Sequence, residues 1–159
     1  MSAEEVTSFY GHDHDELDGF LIKFRELKFK DFFAAKPFFK SFKFGLQRHI
    51  LWEEEILFSI FEAKTGMKDN GPTAVMRREH ILIKEALEVL HQKVRQGDPN
   101  SDQEEKQLVQ ILKEHNMKEE NILYPALDRL LTQHEHEDLF KRMKDVPEER
   151  YAFCGCKDH

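Results

Sequence analysis

Two stretches of this 159-residue chain place a histidine four positions ahead of a pair of glutamates: "HILWEEEILF", beginning at His49, and "HNMKEENILY", beginning at His115. Residues four apart on an α-helix point the same way, one turn displaced. His49 with Glu53, and His115 with Glu119, therefore each present an imidazole nitrogen and a carboxylate oxygen to one side. Apolar residues at helical spacing flank both pairs: Leu46, Ile50 and Leu57 in the first, Leu108, Leu112 and Leu123 in the second. Both pairs are thus aimed at a core, where unpartnered ionisable groups are costly.

A shift of 66 residues superimposes the two stretches. It also carries His14 onto His80 and Leu17 onto Ile83, each histidine standing 35 residues before its H-x-x-x-E pair. A lone H-x-x-x-E is expected roughly once by chance in a chain of this composition, and His12 with Glu16 is such a pair, without an image under the shift. Two copies in phase with a repeat are far harder to obtain by accident. Four histidines and two glutamates brought to one level need hydrogen bonds or a cation. Mixed nitrogen and oxygen donors in an oily cavity suit iron, manganese or zinc, with two carboxylates able to bridge a pair of ions.

Helices must hold these residues. Apolar periodicity and Gly/Pro punctuation predict helices at 3–27, 37–64, 73–96 and 102–131, with a short fifth at 134–144. The second is placed from Pro37, tolerated in a first turn; Thr73 is read as an N-cap and Gly97 as a C-terminal cap. Four such helices with short loops predict an all-α fold, an antiparallel up-down four-helix bundle with a short C-terminal fifth helix. Residues 1–145 form the bundle in this reading. A tail at 146–159 carries Cys154, Gly155 and Cys156, expected to be a flexible reduced end.

The bulk composition narrows the function. A net charge of -7 without a basic stripe argues against nucleic acid as a partner. No apolar run long enough to span a bilayer is present and the first residues are acidic, so no membrane association and a cytoplasmic location are expected. Fourteen phenylalanines imply an aromatic core.

The string "DH", "H-x-x-x-E-E-x-x-L-F", "EH" and "H-x-x-x-E-E-x-x-L-Y-P", spread over residues 3–131, resembles the hemerythrin-like, or HHE cation-binding, domains. The resemblance implies a non-heme di-iron centre with His14, His49, Glu53, His80, His115 and Glu119 as ligands and the two glutamates bridging. Oxygen-carrying members have a further histidine one turn before the third-helix histidine, where this chain has Met76. Tyr10 holds the repeat-equivalent place in the first helix, and both are expected beside the ligands, Tyr10 chiefly as a packed core residue. Glu54 and Glu79 turn roughly 100° away from the ligand direction and are expected to face solvent or a neighbouring helix. His134, His136 and Asp138 are read as a solvated face, and His91 as surface.

The function expected is binding of, or reaction with, a small oxidant (O2, peroxide or nitric oxide) at the iron pair. Iron storage, sensing or donation, including iron–sulfur cluster repair, is the alternative. Any enzymatic activity would be redox chemistry at the metals, because no Ser-His-Asp or Cys-His nucleophile arrangement is visible.

Overall fold

The computed structural model describes residues 5–152, and the expectations placed on Cys154, Cys156 and His159 lie outside the described residues. Helix α1 (Val6–Leu27) runs antiparallel to α2 (Phe32–Trp52), which continues through a π-helical turn, Glu53–Leu57, into α3 (Phe58–Thr65). After a loop, α4 (Pro72–Arg95) pairs with α5 (Asp102–Lys118), and α5 passes through a second π-helical turn, Glu119–Leu123, into α6 (Tyr124–Leu130). The four rods of the expected bundle are all present, and α7 (Gln133–Lys144) closes one end. No strand occurs among the described residues. None of the described helices is long and apolar enough to cross a membrane.

Local chemistry explains most of the boundaries. Asp31 caps α2 by accepting from the Ala34 N–H at 3.2 Å, so the helix starts five residues earlier than Pro37 predicts. The stripe of Ala35, Phe39 and Phe42 gives those extra turns a face to bury. Pro37 forfeits the bond its N–H would have given to the carbonyl of Phe33, an exposed residue. Thr73 is inside α4 rather than capping it, because Gly71 adopts the left-handed φ of 94° and Pro72 takes the first helical position. Gly97, at φ 70°, ends α4 as expected: its N–H reaches the Val94 carbonyl and the Asp98 N–H reaches that of Lys93, the paired closure of a Schellman motif. Thr132 and Glu135 form a reciprocal capping box at the start of α7.

Long-range polar contacts fasten the rods. The Asp128 carboxylate of α6 accepts from the Val6 and Thr7 N–H groups, capping α1 from a different helix. At the other end, Lys28 lies 2.5 Å from Glu105, both buried. Gly45 admits a close crossing of α1 and α2, since a Cβ there would fall 2.5 Å from a Leu17 methyl. Past the expected boundary at 145, Tyr151 is buried and its hydroxyl accepts from the Trp52 indole at 2.8 Å, so packing onto the bundle continues into the short turn Glu148–Ala152.

The core is split. One apolar cluster gathers Phe58, Leu123, Leu127 and Leu139, and another gathers Phe24, Phe39, Phe42, Leu90 and Leu108. Between them is a layer of buried polar side chains.

Candidate metal centre

That layer consists of the six residues the repeat singled out. His14, His49, Glu53, His80, His115 and Glu119 are all 4% exposed or less, which means that water cannot satisfy them. They fall into two groups: Glu53, His80, His115 and Glu119 in one, His14, His49 and Glu119 in the other. Within each group the potential ligand atoms all lie within 4.8 Å of one another, and Glu119 belongs to both.

The orientation of each imidazole is set by a carboxylate on its outer nitrogen. Asp13 lies 2.7 Å from His49 Nδ1, Glu120 2.7 Å from His14 Nδ1, Glu54 2.8 Å from His80 Nδ1, and Glu79 2.8 Å from His115 Nδ1. These contacts obey the same 66-residue repeat, Asp13 matching Glu79 and Glu54 matching Glu120. A carboxylate there fixes the Nδ1–H tautomer and leaves each Nε2 lone pair pointing inward. Glu54 and Glu79, expected to face away, reach histidines of a neighbouring helix rather than of their own. A helical wheel shows only one helix and so hides this.

The inner nitrogens then face oxygens that cannot donate. His80 Nε2 lies 3.1 Å from Glu53 Oε1, His14 Nε2 3.2 Å from Glu119 Oε1, and His115 Nε2 3.1 Å from Glu119 Oε2. Glu119 Oε2 is buried and accepts no aligned hydrogen bond. Lone pair opposed to lone pair is repulsive unless a proton or a metal cation lies between them. Protons can fill that role, because the surrounding carboxylates favour the charged imidazoles. Burial opposes charge on His80, but Glu53 and Glu54 outweigh it and raise its pKa to about 9. His49 is raised well above its ordinary value, with Glu53 and Asp13 overcoming burial, and His115 is raised by Glu119 in the same way. Burial pushes Glu119 up, yet its hydrogen-bonded neighbours Glu53 and His115 hold it well below the usual carboxylate range. Six carboxylates around four imidazoles thus make a strongly cation-seeking cavity. Its donors, inward imidazole nitrogens and an under-bonded carboxylate, fit a first-row transition metal.

Tyr10 and Met76 are both buried in the apolar core, Tyr10 packed there as expected. The Tyr10 hydroxyl donates to Met143 Sδ at 3.1 Å, away from the ligands, and its ring sits edge-on to His49. Met76 is buried in the cluster around Phe58. The tyrosine that does enter the site is Tyr124, which sequence reasoning passed over. Its hydroxyl is 2.5 Å from Glu53 Oε2, 2.8 Å from Glu119 Oε1 and 3.1 Å from His49 Nε2. Residues five apart lie roughly 140° apart around a regular α-helix, so Tyr124 would miss Glu119. The π-helical turn, marked by the Tyr124 N–H bonding back to the Glu119 carbonyl, removes most of that angle. The only signal in the sequence was the repeat itself, which pairs Tyr124 with Phe58. Phe58 begins the helix after the matching π-turn and stacks on His80, with centroids 5.5 Å apart and planes at 16°.

His136 and His91 are also corrected. His136 is buried and lies 2.8 Å from Asp128, and His91 is buried and stacked on Phe39, whereas both were expected to face solvent. His134 and Asp138 are exposed.

A helical bundle with a buried layer of histidines and carboxylates defines a metal-binding class of protein. The hemerythrin HHE cation-binding domain profile matches residues 6–127, and the chain belongs to that family. Curated proteins and solved structures give no match. The family and the buried His/Glu cluster together make this a metal-binding, typically iron-binding, helical domain.

Proposed function

We propose that the chain is a non-heme di-iron protein in which His14, His49, Glu53, His80, His115 and Glu119 hold two ions, and that the pair binds or reacts with a small oxidant: O2, peroxide or nitric oxide. The observation that carries this reading is the pair of overlapping donor groups sharing Glu119. A carboxylate common to both groups suits a bridge, with Glu53 reaching in from the opposite side. Iron supplies one-electron redox steps and positions open to a small ligand.

The chain's own residues decide what reaches the site. A cavity of about 10 Å³, room for roughly one water-sized ligand, borders His14, His49, Glu53 and His115 and is walled by Leu17, Phe42, Leu46, Ile50 and Ile83. Its walls favour a small, weakly polar molecule and exclude bulk water. Asp18, Leu112 and Asn116 line both this cavity and an open groove of about 480 Å³ between α1 and α5, which makes them the entry gate in our reading. Tyr124, kept neutral by burial and by Glu119 and Glu53, holds a proton at its phenol oxygen beside both carboxylates. Met76 in place of a further imidazole leaves one ion with fewer protein nitrogens, which favours reactivity over simple carriage. The reducing interior of the cytoplasm is the setting this chemistry suits.

The test combines metal analysis with the visible spectrum of reduced, iron-loaded protein on exposure to air. Two irons per chain and a band that bleaches under argon support reversible binding. Irreversible oxidation with peroxide consumption supports turnover. Rapid loss of iron to a chelator would instead favour iron storage or donation, and stoichiometric zinc in the purified protein would sink the redox reading.

A further inference from the structure

A lysine- and phenylalanine-rich stretch of this acidic protein borders a cleft that stands apart from the metal layer. Between residues 28 and 43 there are five lysines and one aspartate, interleaved with six phenylalanines. Two of those lysines, Lys36 and Lys40, stand exposed on the rim of a cleft of about 340 Å³ between the first half of α2 and the end of α4. Its walls include Phe33, Pro37, Phe39 and Val94, and Arg95 adds a further cation from α4. Among the described residues, no carboxylate lines it. The cleft shares no residue with the cavity at the metal layer.

We propose that this cleft binds a small amphiphilic anion, an apolar body carrying one carboxylate-like head. Three features select that class. The volume falls in the range of small-molecule sites, ~300–1,000 Å³. The floor is fixed, since Phe39 is buried and stacked on His91 at 5.9 Å. Phe33, 88% exposed, leaves a whole aromatic ring in water at the mouth, where an apolar ligand would cover it. A purely polar anion would gain nothing from these walls. A neutral or cationic amphiphile would gain nothing from Lys36, Lys40 and Arg95, or would be repelled. The net charge of -7 disfavours an extended polyanion, because attraction is confined to one cleft.

Calorimetric titration of the full-length, iron-loaded chain with monomeric decanoate tests the proposal, with decyltrimethylammonium, inorganic phosphate and phosphatidylglycerol vesicles run in parallel. The expected result is saturable 1:1 binding of decanoate, weaker by about tenfold in the Lys36→Glu/Lys40→Glu variant. Phe33→Ser should weaken it as well. A Lys106→Glu/Lys113→Glu variant, with the same change in net charge elsewhere, should bind like the parent. Absence of saturable binding, equal binding of the ammonium or of phosphate, or capture by vesicles without binding of the monomer would each overturn the assignment. So would full affinity in the Lys36→Glu/Lys40→Glu protein.

Discussion

The His14–His49 side of the metal layer and the His80–His115 side descend from one repeated pattern, yet they are walled differently. Their charged parts match one for one: Asp13 braces His49 as Glu79 braces His115, and Glu120 braces His14 as Glu54 braces His80. Their apolar neighbours do not match. On the first side the Tyr124 hydroxyl lies among His14, His49 and the two central glutamates, and Tyr10 adds an aromatic edge. On the second, Phe58 covers His80 flat, without a polar atom. Charge balance fixes the cage, so the repeat preserves it. The walls set proton supply and dryness, and there the halves are free to differ.

Breaking the shared carboxylate should give the largest effect. Glu119 belongs to both groups, and Glu53 belongs to one while lying 3.4 Å from His49 of the other, so Glu119→Ala and Glu53→Ala should each abolish the paired ions, read as metal per chain after gel filtration. Two ions retained in both variants would refute the bridging assignment. Next come the braces. Asp13→Asn and Glu79→Gln should each lower metal affinity by about 10–100-fold in a competition titration. The Asp13 change should cost more, because Asp13 is 7% exposed against 19% for Glu79, which also pairs with Lys118.

The asymmetry itself is probed by Tyr124→Phe. Removing a hydroxyl bonded to a carboxylate should cost the metal-free protein about 1.5–3 kcal/mol in denaturant unfolding. The metal count should stay unchanged while the reaction with air alters in rate. An unaltered air reaction would assign Tyr124 to packing alone.

The smallest effect expected is a pH trend. The folded-state pKa of His80 rises from 6.5 to about 9, so the folded metal-free chain holds more protons than the unfolded one across that window. Its stability should therefore fall as pH rises from about 7 to 9, by a few degrees of melting temperature. Bound metal should reverse the trend, since the inward nitrogens must shed protons to ligate. Scanning calorimetry at three pH values, with and without iron, measures both slopes.

Much of this was legible in the chain. Helical periodicity gave the rods, Gly97 gave a correct terminus, and the 66-residue repeat gave all six residues of the polar layer, because i,i+4 geometry within a helix depends on sequence alone. What escaped were relations between helices. Glu54 and Glu79 were expected to meet solvent or a neighbouring helix, with no sign of which imidazole each would brace, and His91, read as surface, is buried against Phe39 of a neighbouring helix. The early start of α2 was hidden by Pro37, whose local penalty is outweighed by the Asp31 cap and the buried Phe39 stripe.

The amino-acid order by itself determined which residues carry donor atoms, their spacing along each rod and the duplication that puts them in phase. Only the folded chain decided which helix braces which imidazole, and that Tyr124 rather than Tyr10 enters the layer. The reason is physical: spacing along a helix is a local property of the backbone, whereas the π-turns at Glu53 and Glu119 and the crossing of helices depend on how four apolar faces settle against one another.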